Sequence, residues 1–326
     1  MSWDNVIGQK RVIETLKRTI GNNRVPQAYL FTGPDGTGKH LVAKELAKAL
    51  NCQKNTGNAC NICSSCYKIE KGIHPDVQVI SPFGKSGGIR IEQIYGIRER
   101  IFLKPLEGRY KFYIIDQAEG LIKPQEASGN ALLKLLEEPP NDTIFVLIPS
   151  ESKALIPTIV SRCQKIKFDY LSISEVERIL QEKFFYNKED TALAAAFSFG
   201  RVDRALSFKD EKTKTEREEV FNNLKSPFLK NFLNWAKDLG ATREKAMDIL
   251  DIMVFYLRDI LVYKITNTKE ILLNLDYFSN IEAEQENTIE SILGKISLIQ
   301  KTKQLIEQNV NLQLALEVMF MDMTEE

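Results

Sequence analysis

Residues 33–40 read Gly-Pro-Asp-Gly-Thr-Gly-Lys-His. The first seven satisfy G-x-x-x-x-G-K, the spacing of a phosphate-binding loop. Glycines let successive backbone N–H groups close around phosphate oxygens, and the helix that follows favours an anion at its start. Lys39 is placed to reach the outer phosphates of a nucleotide. The eighth position, Ser or Thr where the loop holds magnesium, is His40. Mg²⁺ takes hard oxygen ligands in near-octahedral array, and imidazole is a poor replacement. Gly33, Gly36, Gly38 and Lys39 therefore read as a degenerate phosphate loop, which leaves ATP binding in doubt. The bland alternative is a glycine-rich turn without phosphate history; the apolar strand before the loop and the helix after it argue against that.

A second position tests the first. The strand Phe112 to Ile115 ends in Asp116, placed where a Walker B aspartate supports the metal. In hydrolysing relatives of this loop the next residue is typically Glu, which polarises the attacking water. Here it is Gln117. An amide cannot accept a proton, and losing a general base typically costs about 10²–10⁴ in rate. Glu119 is near, but its side chain is expected to leave the strand end in another direction. Two independent replacements read as a retired active site.

Cys52, Cys60, Cys63 and Cys66 give the spacing C-x7-C-x2-C-x2-C. Four thiolates can close a tetrahedral Zn²⁺ site with no open position, so the metal would be structural. Clustered cysteines in a chain without an export signal favour metal over disulfides; four reduced, unliganded thiols are the alternative. His74 is a further candidate ligand, although His74-Pro75-Asp76-Val77 reads better as a loop-to-strand junction. The stretch Asn51 to Tyr67 has few large apolar residues and is expected to depend on the metal to fold.

The elements that must hold these residues alternate at first. Lys10 to Ile20 has a helical apolar stripe of Val12, Ile13, Leu16 and Ile20. Gln27 to Thr32 suits a buried strand entering the loop, and His40 to Asn51 a helix leaving it. Val77 to Ile80 reads as a strand and Ile91 to Phe102 as a helix. Tyr110 to Ile115 and Thr143 to Ile148 are β-branched and aromatic, as central strands are. Between them lies a helix containing NALLKLLEE, stopped by Pro139 and Pro140. Ile166 to Phe168 is the last short strand. This alternation implies a mostly parallel sheet covered on both faces.

After about Tyr170 only helices are expected. Ser174 to Lys183 starts a small helical unit that ends near Phe208. Lys209 to Glu219 is either a linker or the solvated face of a helix, the second being commoner. From Pro227 to Glu326 long amphipathic helices dominate, Thr242 to Ile265 and Ile289 to Asn309 among them, with Trp235, Phe255 and Tyr256 as packing residues.

Bulk properties narrow the function classes. The 326 residues are too many for one compact core, and 43% hydrophobic with 27% charged residues is ordinary for a globular protein. Lys plus Arg balances Asp plus Glu at 44 each, whereas an autonomous nucleic-acid binder usually carries a basic excess. A zinc-dependent DNA-binding regulator is disfavoured on that ground, and no carboxylate pair for two-metal nucleotidyl transfer stands out. Arg90, Arg98, Arg100 and Lys104 are either part of a DNA-facing surface or the polar face of a helix. The start, MSWDNVIGQK, lacks the basic and apolar regions of a secretory signal, and no apolar run approaches the roughly 20 residues that span a bilayer. A cytoplasmic protein is expected.

Three segments carry a specific resemblance: QAYLFTGPDGTGK (27–39), SGNALLKLLEEPP (128–140) and TIVSRC (158–163). They resemble the characteristic boxes of bacterial clamp-loader subunits, the delta-prime and gamma/tau proteins of DNA polymerase III, relatives of eukaryotic replication factor C. Val6-Ile7-Gly8-Gln9 and the four-cysteine insert match in order and position. The resemblance covers roughly residues 4–208; beyond that only helical character matches. It implies an α/β, P-loop AAA+ parallel-sheet domain with a zinc module at 52–66 (residues 1–169), a helical lid (170–208) and an all-helical collar (209–326).

The resemblance also implies roles. The arginine of the Ser-Arg-Cys triplet, here Arg162, faces ATP held by an adjacent subunit, and an arginine finger supplied in trans is worth about 10³–10⁵ in rate. A local surface salt bridge is the alternative. The helical lid of active relatives carries a Gly-Ser-x-Arg-like motif whose arginine senses nucleotide. Here Asp203 stands at that place, with Arg204 displaced by about 100° round the helix. Ser150 takes the place of the polar sensor at the sheet edge, and Asn130 to Lys134 touches either a neighbouring subunit or the rim of the ATP pocket. A retained finger beside a degraded pocket resembles the delta-prime branch: a non-hydrolysing stator without intrinsic activity, working in a polymerase assembly. The implied partners are gamma/tau and delta subunits, the sliding clamp and, through the assembly, primer-template DNA. A catalytically active gamma/tau-like ATPase is the alternative.

Overall fold

The computed structural model describes residues 3–54, 57–83, 88–121, 126–150, 155–208, 210–225, 229–239, 242–269, 271–284, 287–308 and 310–325. Met1, Lys209, Pro227, Asn309 and Glu326, which bounded expected segments, lie outside them. The chain divides into two compact units, residues 1–186 with 198–204, and residues 187–197 with 205–326.

The first unit is built on five parallel strands: β1 Ala28–Thr32, β2 Val77–Ile80, β3 Lys111–Asp116, β4 Thr143–Ile148 and β5 Gln164–Lys167. Their order in the sheet is β2-β3-β4-β1-β5. Its helices are α1 Lys10–Gly21, α2 Lys39–Asn51, α3 Ser64–Glu70, α4 Ile91–Ile101, α5 Glu126–Glu137, α6 Pro157–Ser161 and α7 Ile173–Phe184. Side chains alternate across a strand, so each central strand feeds two cores. Tyr29, Phe31, Phe112, Ile114, Ile144 and Val146 pack with residues of α1 and α2. Leu30, Tyr113, Ile115, Phe145 and Leu147 pack with residues of α4 and α5 on the other face. Both faces are covered, which is why β1, β3 and β4 read as continuous apolar runs.

The expected elements are present with boundaries moved by a residue or two. β5 begins earlier than its apolar residues suggest, because it is an edge strand in which only Ile166 is buried. α7 is capped two residues before Ser174: Ser172 Oγ accepts the Glu175 N–H, and Glu175 returns to the Ser172 N–H at 2.9 Å. The signal was a complete capping box whose Ser lies one turn ahead of the carboxylate.

The second unit is helical: α8 Lys188–Phe197, α9 Val202–Ser207 (which begins in the first unit), α10 Glu211–Lys225, α11 Leu229–Leu239, α12 Arg243–Thr266, α13 Phe278–Ala283, α14 Ile289–Glu307 and α15 Leu312–Glu325. The charged stretch before Glu219 belongs to a helix, as its commoner reading held. Trp235 and Tyr256 are buried with Phe221, Met253 and Phe320 in one core, and Phe255 stacks edge-on against Phe197 at 4.7 Å. No described helix is long and apolar enough to cross a membrane.

Candidate functional site

The phosphate loop joins β1 to α2, as the apolar strand and the helix-forming run required. Gly33, Gly36 and Gly38 all take positive φ, at 132°, 67° and 89°. A Cβ on Gly33 would lie 2.3 Å from the Phe168 carbonyl oxygen, so glycine is needed there for close backbone approach. Lys39 is buried and turned onto its own loop. Its Nζ donates to the Gly33 carbonyl at 2.5 Å, the Pro34 carbonyl at 3.0 Å and Asp35 Oδ1 at 3.0 Å. His40 is exposed at the next position.

Asp203 lies against this loop. A Cβ built on Gly36 would stand 1.9 Å from its Oδ1, and the Val202 N–H donates to the Gly36 carbonyl at 3.0 Å. Arg201 grips the same carboxylate through Nε at 3.2 Å and Nη2 at 2.6 Å. Burial alone would raise the Asp203 carboxyl; the guanidinium outweighs it and holds the group below the usual carboxylate range. A carboxylate paired with Arg201 thus rests on the loop. The family resemblance placed Asp203 at the lid, but its distance from Gly36 could not be read from sequence.

At the end of β3, Asp116 Oδ1 accepts the N–H of Gln117, which is left-handed with φ 47°. Glu119 Oε2 accepts the Ser150 N–H at 3.0 Å. That contact ties the turn after β3 to the end of β4. Gln9 does similar work at the other side. Its Nε2 donates to the Asp169 carbonyl at 2.6 Å and its Oε1 accepts the Asp169 N–H at 3.2 Å. The opening motif includes Gln9 by resemblance, but nothing along the chain pointed to this contact.

Arg162 caps the short α6. Nη2 pairs with Glu137 Oε1 at 2.8 Å, Nη1 donates to the Thr158 carbonyl at 3.0 Å, and the side chain stays 35% exposed. Leu132, Leu135 and Leu136 of α5 are buried and Leu133 half-buried, while Asn130 and Lys134 face solvent. Arg90, Arg98, Arg100 and Lys104 are exposed as well, and the Arg90 guanidinium lies 4.1 Å from the centre of the Phe83 ring.

The sulfurs of Cys52, Cys60, Cys63 and Cys66 lie within 4.8 Å of one another and could hold a metal ion. A tetrahedral Zn–S₄ centre with bonds of about 2.3 Å has sulfur–sulfur edges of about 3.8 Å, so the donor set fits after a small contraction. Cys52 and Cys66 are buried, whereas Cys60 and Cys63 are half-buried. The Cys63 N–H points to Cys60 Sγ at 3.3 Å and the Cys66 N–H to Cys63 Sγ at 3.5 Å. The Ile62 N–H pulls the Cys60 thiol down to about 6, and burial pushes Cys66 up. His74 is not a ligand. Its Nε2 lies 3.1 Å from Ser65 Oγ and its Nδ1 accepts the Asp76 N–H at 3.1 Å.

A glycine-rich loop after the first strand, in a parallel sheet ordered β2-β3-β4-β1-β5 and followed by helices, is the P-loop AAA+ arrangement. The family model described as DNA polymerase III, delta subunit matches residues 8–172, and the one described as DNA polymerase III, delta subunit, C terminal matches residues 211–325. DNA polymerase III subunit delta' of Bacillus subtilis is 31% identical over 94% of this chain and 93% of its own. The tau subunit of the same organism is 31% identical over 80% of this chain and 50% of its own. A DNA polymerase III gamma subunit-related structure from Thermotoga maritima covers 96% of this chain and 98% of its own, at 18% identity and a TM-score of 0.40. The chain belongs to the DNA polymerase III delta-prime family of clamp-loader subunits.

Proposed function

We propose that this subunit is a non-hydrolysing stator, which leaves its own phosphate loop idle and supplies Arg162 to ATP held by a neighbouring gamma/tau subunit. The observation that carries the first half is Asp203 resting on Gly36. A nucleotide phosphate would have to approach a carboxylate already paired with Arg201, in a site whose metal-binding and base positions are His40 and Gln117. The finger is supported by chemistry and position. The guanidinium is planar, permanently charged and partly exposed, and it already pairs with an anion, Glu137. At a subunit boundary a phosphoryl group can replace that carboxylate, one anion for another.

Zn²⁺ at Cys52, Cys60, Cys63 and Cys66 is structural in this reading, because four protein ligands leave no site for a reacting group. Residues 1–169 form the AAA+ domain, 170–208 the lid and 209–326 the collar. On α15, Leu314, Val318 and Met321 form an exposed apolar stripe at helical spacing, suited to assembly with gamma/tau and delta subunits. The sliding clamp and primer-template DNA are reached through that assembly, in the cytoplasm.

The test is DNA-stimulated ATP turnover by the reconstituted clamp loader. Arg162→Ala is expected to slow hydrolysis at the neighbouring site by about 10³-fold or more and so to lower the turnover of the assembly; unchanged turnover rejects the finger. The isolated chain is expected not to hydrolyse ATP. Turnover that Lys39→Ala abolishes would favour an active gamma/tau-like ATPase instead.

A further inference from the structure

The metal module does more than close on itself. Its helix α3 runs Ser64–Glu70 and carries Cys66, and the residues beside that ligand reach two distant segments. Ser65 and His74 are buried, and their contact starts a polar chain. Because His74 Nδ1 accepts the Asp76 N–H, its proton sits on Nε2 and is donated to Ser65 Oγ. The buried Asp76 carboxylate then accepts three consecutive N–H groups, from Leu106 at 2.8 Å, Glu107 at 2.7 Å and Gly108 at 2.8 Å. On the outer side Lys68 holds both oxygens of Glu107 at 2.7 Å.

Residues 102–110 have no regular secondary structure of their own. Phe102, Leu103 and Leu106 are 71%, 65% and 80% exposed, so burial of these side chains does not anchor the segment. Tyr110 at its end packs against the core and Lys111 Nζ donates to the Leu103 carbonyl, but the middle of the segment is held by polar groups. Besides Asp76 and Lys68, Asn51 at the end of α2 accepts the N–H groups of Arg109 and Tyr110 at 2.8 and 2.9 Å. A chain segment held by hydrogen bonds to fixed carboxylates is as ordered as the groups that hold it.

We infer that the four-cysteine module is the anchor of the 102–110 segment, so that metal at the cysteines sets where Phe102, Leu103 and Leu106 stand. The metal fixes Cys66 and hence α3; α3 positions Ser65 and Lys68; Ser65 orients His74 and with it the turn that carries Asp76; Asp76 and Lys68 hold residues 106–108. The inference rests on the reading that the cysteines bind zinc, and its test separates the two.

The experiment is amide hydrogen exchange of the full chain, read by mass spectrometry, with zinc bound and after a chelator has removed it, with metal content measured alongside. Zinc removal is expected to speed exchange across 57–70 and also, by about tenfold or more, across 105–110, while β1 and β4 stay protected. Should 57–70 loosen and 105–110 stay within about twofold, the coupling is wrong. A preparation that never holds zinc refutes the metal reading alone. The double variant Ser65→Ala, Lys68→Ala tests the link whether or not metal is present. It keeps all four cysteines and is expected to exchange about tenfold faster at 105–110 with unchanged metal content; unchanged exchange there overturns the inference.

Discussion

At the scale of single residues, the charged groups at the phosphate loop pair within the chain. Lys39 turns to Asp35 and to two loop carbonyls, and Arg201 to Asp203. The consequence is sharpest at Gly36, where the backbone is left-handed at φ 67° and a methyl group would meet the Asp203 carboxylate. Gly36→Ala carries both a conformational cost and a collision, about 1–3 kcal/mol together. Thermal denaturation is expected to show that loss, and the Val202 amide, which donates to the Gly36 carbonyl, is expected to exchange faster than in the parent chain.

At the scale of elements, α2 joins the two halves of the site. Its first residue is Lys39 and its C-cap is Cys52. Between them Lys44 and Lys48 both reach Glu70 on α3, and Lys48 also pairs with the buried Glu45 at 2.8 Å. Burial opposes ionisation of Glu70, yet the two lysines bring it down from 4.5 to about 2. A carboxyl lowered in the folded state stabilises it fully above its unfolded value and loses that contribution as pH falls through the folded value. The stability difference between the parent chain and Glu70→Gln is therefore expected to be constant above about pH 5. It should shrink steadily as the pH falls from 4.5 towards 2, measured by urea denaturation at each pH. Comparing the two chains cancels acid effects on the cysteines, which they share.

At the scale of the whole molecule, each unit has its own core and its own tryptophan, Trp3 in the first and Trp235 in the second. The second unit is organised round α12, whose Asp259 is fully buried. One oxygen accepts from Arg258 at 2.6 Å; the other takes the N–H groups of Leu273 and Asn274 and the Asn274 side-chain amide. Nearby, the Arg217 guanidinium lies 5.1–5.8 Å from the ring centres of Phe197, Phe208, Phe221 and Tyr277. Arg258 is 37% exposed and can return to water, so removing Asp259 costs chiefly the buried amides of Leu273 and Asn274 left without an acceptor, about 1–3 kcal/mol. Asp259→Ala in a Trp3→Phe background is expected to shift the denaturation followed by Trp235 by that amount; a shift below about 1 kcal/mol would contradict this account.

Local pattern carried much of this protein. Strand alternation, helix spacing and the C-x2-C pairs depend on neighbours a few residues apart, so β1, α2, β3, β4 and the cysteine cluster were legible along the chain. The departures at His40 and Gln117 were legible for the same reason, since each is judged against the residue beside it. Weakly apolar pieces were less so: the bounds of β5 shifted because it offers a single buried residue, and α3 is only seven residues long and carries Cys66. What folding added lies in contacts of long sequence separation. Gly36 meets Asp203, Arg162 meets Glu137, and Asp76 gathers the amides of 106–108. No periodicity encodes such pairs, because a short polar side chain can bond to any donor that the sheet and its crossovers bring within about 3 Å.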